Sequence, residues 1–154
     1  VWQQKTSTQK LLILLFAILI ALAGCQSVSN VPVKTKSAAN EASAVAALRT
    51  IASAQAMYST THEGDFGTFE ELVGAGNLDT RFSGDRPIVG GYVLTIKIRP
   101  KDSGGNPASY EVNADPQSDV AAGSTGNRHL YVDSKDSVIR VNAKQAASSS
   151  DPQL

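Results

Sequence analysis

Asn40-Glu41-Ala42-Ser43-Ala44-Val45-Ala46-Ala47-Leu48-Arg49-Thr50-Ile51-Ala52-Ser53-Ala54-Gln55-Ala56-Met57-Tyr58-Ser59-Thr60 decides the architecture of this chain. Alanine loses no side-chain freedom in a helix and heads the helix-propensity order. No glycine or proline interrupts the run. Val45, Leu48, Ile51 and Tyr58 recur at helical steps and form one apolar stripe, with Gln55 as its polar interruption. Asn40 suits the N-cap, with Ser37 as the alternative. Glu41 then falls in the first turn, where a negative charge complements the helix dipole. The stripe is narrow and lined with alanine, so the element opposite must approach closely.

Downstream the period changes from helical to alternating. Thr61 to Pro87 is glycine-rich, but Thr68 and Glu71 have capping-box spacing ahead of Phe69-Glu70-Glu71-Leu72-Val73. A short helix is expected there, ended by Gly74 or Gly76 and pinned to the core by Phe66, Phe69 and Leu72. From Gly91 to Arg99, Tyr92, Leu94, Ile96 and Ile98 alternate with Val93, Thr95, Lys97 and Arg99. That pattern is a half-buried strand. Ser109 to Ala114 is a second strand, and the turn-forming residues 101–107 join the two as an antiparallel hairpin. His129 to Asp133 and Val138 to Val141 are two more. The order predicts an α+β domain in which one long amphipathic helix on the N-terminal side packs on a roughly four-stranded antiparallel sheet.

Upstream of the helix the character changes again. Leu11 to Ala23 is an apolar run preceded by Lys5 and Lys10 and followed by Gly24 and Cys25, the only cysteine. A spanning helix needs about 20 apolar residues, and this run is shorter. A basic lead, a short apolar core and small residues at its exit describe a secretory signal peptide. The stretch Leu22-Ala23-Gly24-Cys25 resembles the lipobox of bacterial lipoproteins. That resemblance implies removal of residues 1–24, a diacylglycerol on the Cys25 thiol and acylation of the new amino group. Gln26, rather than an aspartate, follows the cysteine; by the Gram-negative sorting rule this implies the outer membrane. The expected organisation is therefore a signal peptide over 1–24, a flexible tether over 25–38, a folded domain over 39–142 and a frayed tail over 143–154.

Loss of Lys5 and Lys10 changes the charge balance. Of the 14 Lys and Arg in the whole chain, all but these two would remain, against 14 Asp and Glu, so the mature chain would be mildly acidic. No basic stripe marks a nucleic-acid surface. With Cys25 lipidated, no cysteine is left for a disulfide, although the compartment would permit one.

The helix, with Ala54-Gln55-Ala56-Met57-Tyr58 at its end, is similar to the first helix of type IV pilins and type II secretion pseudopilins beyond its apolar half. Phe66-Gly67-Thr68-Phe69-Glu70-Glu71-Leu72, Gly76-Asn77-Leu78-Asp79, Gly90-Gly91-Tyr92, Gly126 to Asp133 and Val138-Ile139-Arg140 are similar to the segments that follow it, in order. The likeness runs from Asn40 to Val141. It implies the pilin-like fold and association with secretion or pilus machinery. It does not carry polymerisation over, because the chain has no prepilin peptidase site. Pro32 and a polar tether also separate the apolar run from the helix.

Candidate chemistry is sparse. His62 and His129 lie in different elements without metal-ligand spacing and are expected to face solvent. Glu70 and Glu71 are adjacent, so they leave a helix on different sides. Asp115, Asp119, Asp133 and Asp136 are loop carboxylates of the kind that calcium takes in several at once, but they fit turn formation better. Gly123-Ser124-Thr125-Gly126 lacks the Gly-Lys-Ser/Thr of a phosphate loop. Arg49 reads as a solvated or ion-paired helix residue. No nucleophile elbow or triad is present, so no enzyme, cofactor or metal is expected. The expected function is that of a membrane-anchored binding or structural module whose partners are the bilayer and envelope proteins. The alternatives are a filament component, which requires an unlipidated Cys25, and a small ligand- or calcium-binding protein or enzyme using loop carboxylates and His129.

Overall fold

A computed structural model of the chain describes residues 33–118 and 124–154, with side chains from Lys36 onward. The signal-peptide and lipidation expectations, Cys25 included, lie outside these residues, as do Asp119 and Gly123.

Helix α1 runs from Val33 to Thr61. It begins well before Asn40, inside the stretch expected to be tether. Asn40 and Ser37 are therefore interior residues rather than caps, and Glu41 is not in the first turn. The buried face recurs as Ser37, Ala44, Ala47, Leu48, Ile51, Ala54, Gln55 and Tyr58, the three- and four-residue rhythm that brings one side of a helix to the core. The alanines let the sheet come close.

Helix α2, Phe69–Gly74, opens on the expected capping box. Glu71 N–H donates to Thr68 Oγ1 at 3.3 Å, and Thr68 N–H donates to Glu71 Oε2 at 2.7 Å. The Thr68 backbone bond, then its hydroxyl, hold the Glu71 carboxyl below the usual carboxylate range. A folded-state value below the unfolded one stabilises the fold above the unfolded carboxylate range. That contribution is lost as pH falls through the folded value. Thr68→Ala should cost about 1 kcal/mol at neutral pH and should flatten the acid limb of a melting-temperature profile; an unchanged acid limb would contradict this role. A 3₁₀ turn, Thr80–Phe82, follows and buries Phe82.

The sheet has five antiparallel strands in sequence order: β1 Ile88–Val89, β2 Tyr92–Arg99, β3 Ser109–Pro116, β4 His129–Asp133 and β5 Arg140–Asn142. The sequence reading lacked β1, which is too short to show a period. Gly90 and Gly91 turn β1 into β2 at φ +58° and +74°. Both central residues of this two-residue turn need positive φ, the setting in which glycine costs least. A Cβ on Gly90 would lie 2.6 Å from the Ser43 Cβ, so the turn also touches the helix. Tyr92, Leu94, Tyr110, Val112, Ala114, Leu130 and Val132 face α1 and form the core with it.

The expected frayed tail is instead folded back. Leu154 N–H donates to Ile139 O and Val141 N–H to Pro152 O, each at 2.9 Å. Asn113 Nδ2 donates to the Ala147 carbonyl at 2.7 Å, and Ala147 is buried. Asp151 fastens the segment by accepting from Ser148 N–H and Asn142 Nδ2. Small polar residues read as frayed on composition, but these have found backbone partners. Among the described residues no helix is long and apolar enough to cross a membrane.

Candidate functional site

Strand alternation sends every second side chain to the face of the sheet away from α1. Registers Thr95↔Asn113, Asn113↔Tyr131, Val93↔Asp115 and Lys97↔Glu111 make this face polar. Asp115 and His129 occupy neighbouring strands there, and His129 Nδ1 lies 2.6 Å from Asp115 Oδ1. His129 is thus half-buried and paired, not solvent-facing as expected. Its partner is Asp115. Asp133 is buried, accepting from Tyr131 Oη and Lys135 N–H, each at 3.0 Å. Burial first, and then the bond to Asp133, push the Tyr131 phenol well above its ordinary value. Asp136 accepts from Val138 N–H at 2.9 Å and pairs with Arg140. Asp115 and Asp133 therefore lie in strands rather than in the loops expected for them, and with Asp136 they serve turns, ion pairs and sheet contacts. Among the described residues no three metal-binding side chains converge.

His62 lies exposed at the end of α1, as expected, with its ring stacked on Tyr58 at 3.6 Å between centroids. Arg49 is exposed on α1. Glu70 is exposed on α2, whereas Glu71 belongs to its cap.

Several polar contacts hold the strand ends to the helix. Asn40 Nδ2 donates to Thr125 O at 2.8 Å, and Glu41 pairs with Arg128. Tyr92 is fully buried, and its hydroxyl has no hydrogen-bond partner among the described residues. Burial, with the Glu41 charge adding, pushes its phenol up to about 12. Gly126 passes directly over this ring: a Cβ there would stand 2.1 Å from the Tyr92 oxygen. Gln55, fully buried, makes a two-way clasp with Gly67: Nε2 donates to Gly67 O at 2.6 Å, and Gly67 N–H donates to Oε1 at 3.0 Å. The sequence signal for the clasp was a lone amide in an apolar stripe. The pairs across strands carried no local signal, since they depend on register.

The side of β2 away from β3 is open along its second half among the described residues. β1 pairs only with Tyr92 and Val93, and Leu94 N–H reaches Pro87 O at 2.9 Å. Antiparallel pairing alternates between the two sides of a strand. The N–H and C=O of Ile96 and of Ile98 therefore point to the same side as those of Leu94, away from β3. No described group bonds to them. Two surface cavities flank this edge. One, of about 260 Å³, lies among Thr68, Phe69, Glu70, Gly84, Asp85 and Ile96. The other, of about 440 Å³, lies among residues that include Tyr58, Asp65, Phe66, Glu71, Ile98 and Pro100.

No protein-family model, curated protein or solved structure matches this chain.

Proposed function

We propose that the chain is a lipid-anchored envelope protein whose α+β domain is a non-catalytic docking module. The observation that carries this reading is Leu22-Ala23-Gly24-Cys25 at the exit of a short apolar run with a basic lead. Lipidation at Cys25 would leave the domain on a short leader at the membrane surface. The helix-on-sheet order supports, at the level of architecture, the likeness to pilin and pseudopilin soluble domains. The module then docks on envelope proteins, secretion or pilus components among them. With Gln26 after the cysteine, the favoured site is the outer membrane.

A second reading, a filament subunit, gains from the early start of α1 at Val33, which shortens the gap to the apolar run. It still requires that residues 1–24 stay attached. In-cell crosslinking of the intact protein tests the docking reading. The expected result is recovery of a defined envelope protein crosslinked to the domain. Recovery of crosslinks only between copies of the chain would favour the filament, and recovery of no envelope protein would count against docking.

A further inference from the structure

We infer that the open edge of β2 takes an extended, basic peptide segment as an additional strand. The inference rests on the reading of the domain as a docking module, not on the lipid anchor. The unpaired N–H and C=O of Ile96 and Ile98 define the shape of the occupant, because only another extended backbone can meet them in register. The short β1 leaves this part of the edge uncovered.

The side chains around the edge define the occupant's charge. Glu70 and Asp85 stand at the cavity beside Ile96. Both are exposed, and neither has a hydrogen bond or ion pair among the described residues. At the cavity beside Ile98, Asp65 pairs with Lys101 at 3.7 Å through Oδ2, while its buried Oδ1 has no hydrogen-bond partner among the described residues. Phe69 and Ile96 in the first cavity, and Phe66 and Ile98 in the second, line the same cavities as these carboxylates with apolar surface. Apolar surface beside carboxylates suits the methylene stem and cationic head of lysine or arginine. Ile96 and Ile98 are two residues apart, roughly 6.6 Å along a strand. The two cavities therefore fit side chains at alternate positions of an added strand. The partner is an extended segment with lysine or arginine at every second residue.

The test uses the intact protein, isotope-labelled and held in detergent micelles, titrated with a capped seven-residue peptide of alternating lysine and valine. The expected result is that the Ile96 and Ile98 amides shift and exchange more slowly with solvent as peptide is added. Glu70→Lys with Asp85→Lys should stay folded, since both side chains are exposed, with only a small fall in melting temperature from the charge reversal in the first turn of α2, and should bind at least about tenfold more weakly. The same peptide with glutamate in place of lysine should not bind. Absence of binding, binding that leaves exchange at Ile96 and Ile98 unchanged, or binding that survives the charge reversals would each overturn the inference. Membrane partition of the same preparation reads the anchor separately, so failure here does not touch it.

Discussion

Cys25→Ser is expected to release the protein from the membrane. On detergent phase separation the wild-type chain should enter the detergent-rich phase and the variant the aqueous phase. The size of the effect follows from the acyl chains. Each buried methylene contributes about 0.8 kcal/mol; one acyl chain alone gives only reversible binding, whereas two or more make attachment effectively stable. Serine offers no thiol for the diacylglycerol transfer, so this whole contribution disappears. The variant is given a different, fully cleaved secretion signal in place of residues 1–24, so that the apolar run Leu11 to Ala23 does not itself hold it in the detergent-rich phase. The domain itself should be unaffected, with the same melting temperature as the wild type in the same detergent. A variant that still partitions like the wild type would show that attachment does not run through Cys25.

The second large effect concerns Gln55. Gln55→Leu should destabilise the domain by about 3 kcal/mol, a fall of roughly 10–15 °C in melting temperature. Leucine has nearly the same volume, so no cavity explains the cost. The cost arises because the N–H and C=O of Gly67, both served by the Gln55 amide, are left buried without partners. An unsatisfied buried polar group costs about 1–3 kcal/mol. Gln55→Glu separates this from simple packing. A protonated glutamate can donate to Gly67 O and accept from Gly67 N–H, whereas the carboxylate can only accept. Burial and that hydrogen bond raise the folded-state value above the unfolded one. The glutamate variant should therefore be most stable in acid and lose stability as pH rises through its folded value. Equal loss at all pH values for both variants would contradict the clasp.

The contrast between Gln55 and its neighbours shows where sequence reading stops. Leu48, Ile51 and Tyr58 announce their side of the helix by spacing alone, because burial and period are the same signal. Gln55 sits on that stripe as an exception, and only the position of Gly67 explains it. The hairpin of β2 and β3 and the capping box at Thr68 were legible for a similar reason: each is specified by residues close in sequence. Asn40 failed as a cap because the helix already starts at Val33, which leaves its amide to serve the carbonyl of Thr125, far along the chain. His129 failed as a solvent-facing residue because the register of β3 and β4 sets Asp115 opposite it. The tail failed on composition, since Asp151 and Asn142 hold each other and small residues fit over the sheet. The open edge of β2 required knowing that β1 ends so early. In each case the missing information was the pairing of distant segments.

Both the anchor and the choice between docking module and filament subunit depend on one covalent fact, the state of the mature N-terminus. Intact-mass and peptide mass spectrometry of the protein purified from membranes measures it directly. The expected result is a chain that begins at Cys25, with residues 1–24 gone and the mass of a diacylglyceryl group plus an acyl chain on that residue. A chain that retains residues 1–24 and carries a free thiol at Cys25 would contradict it.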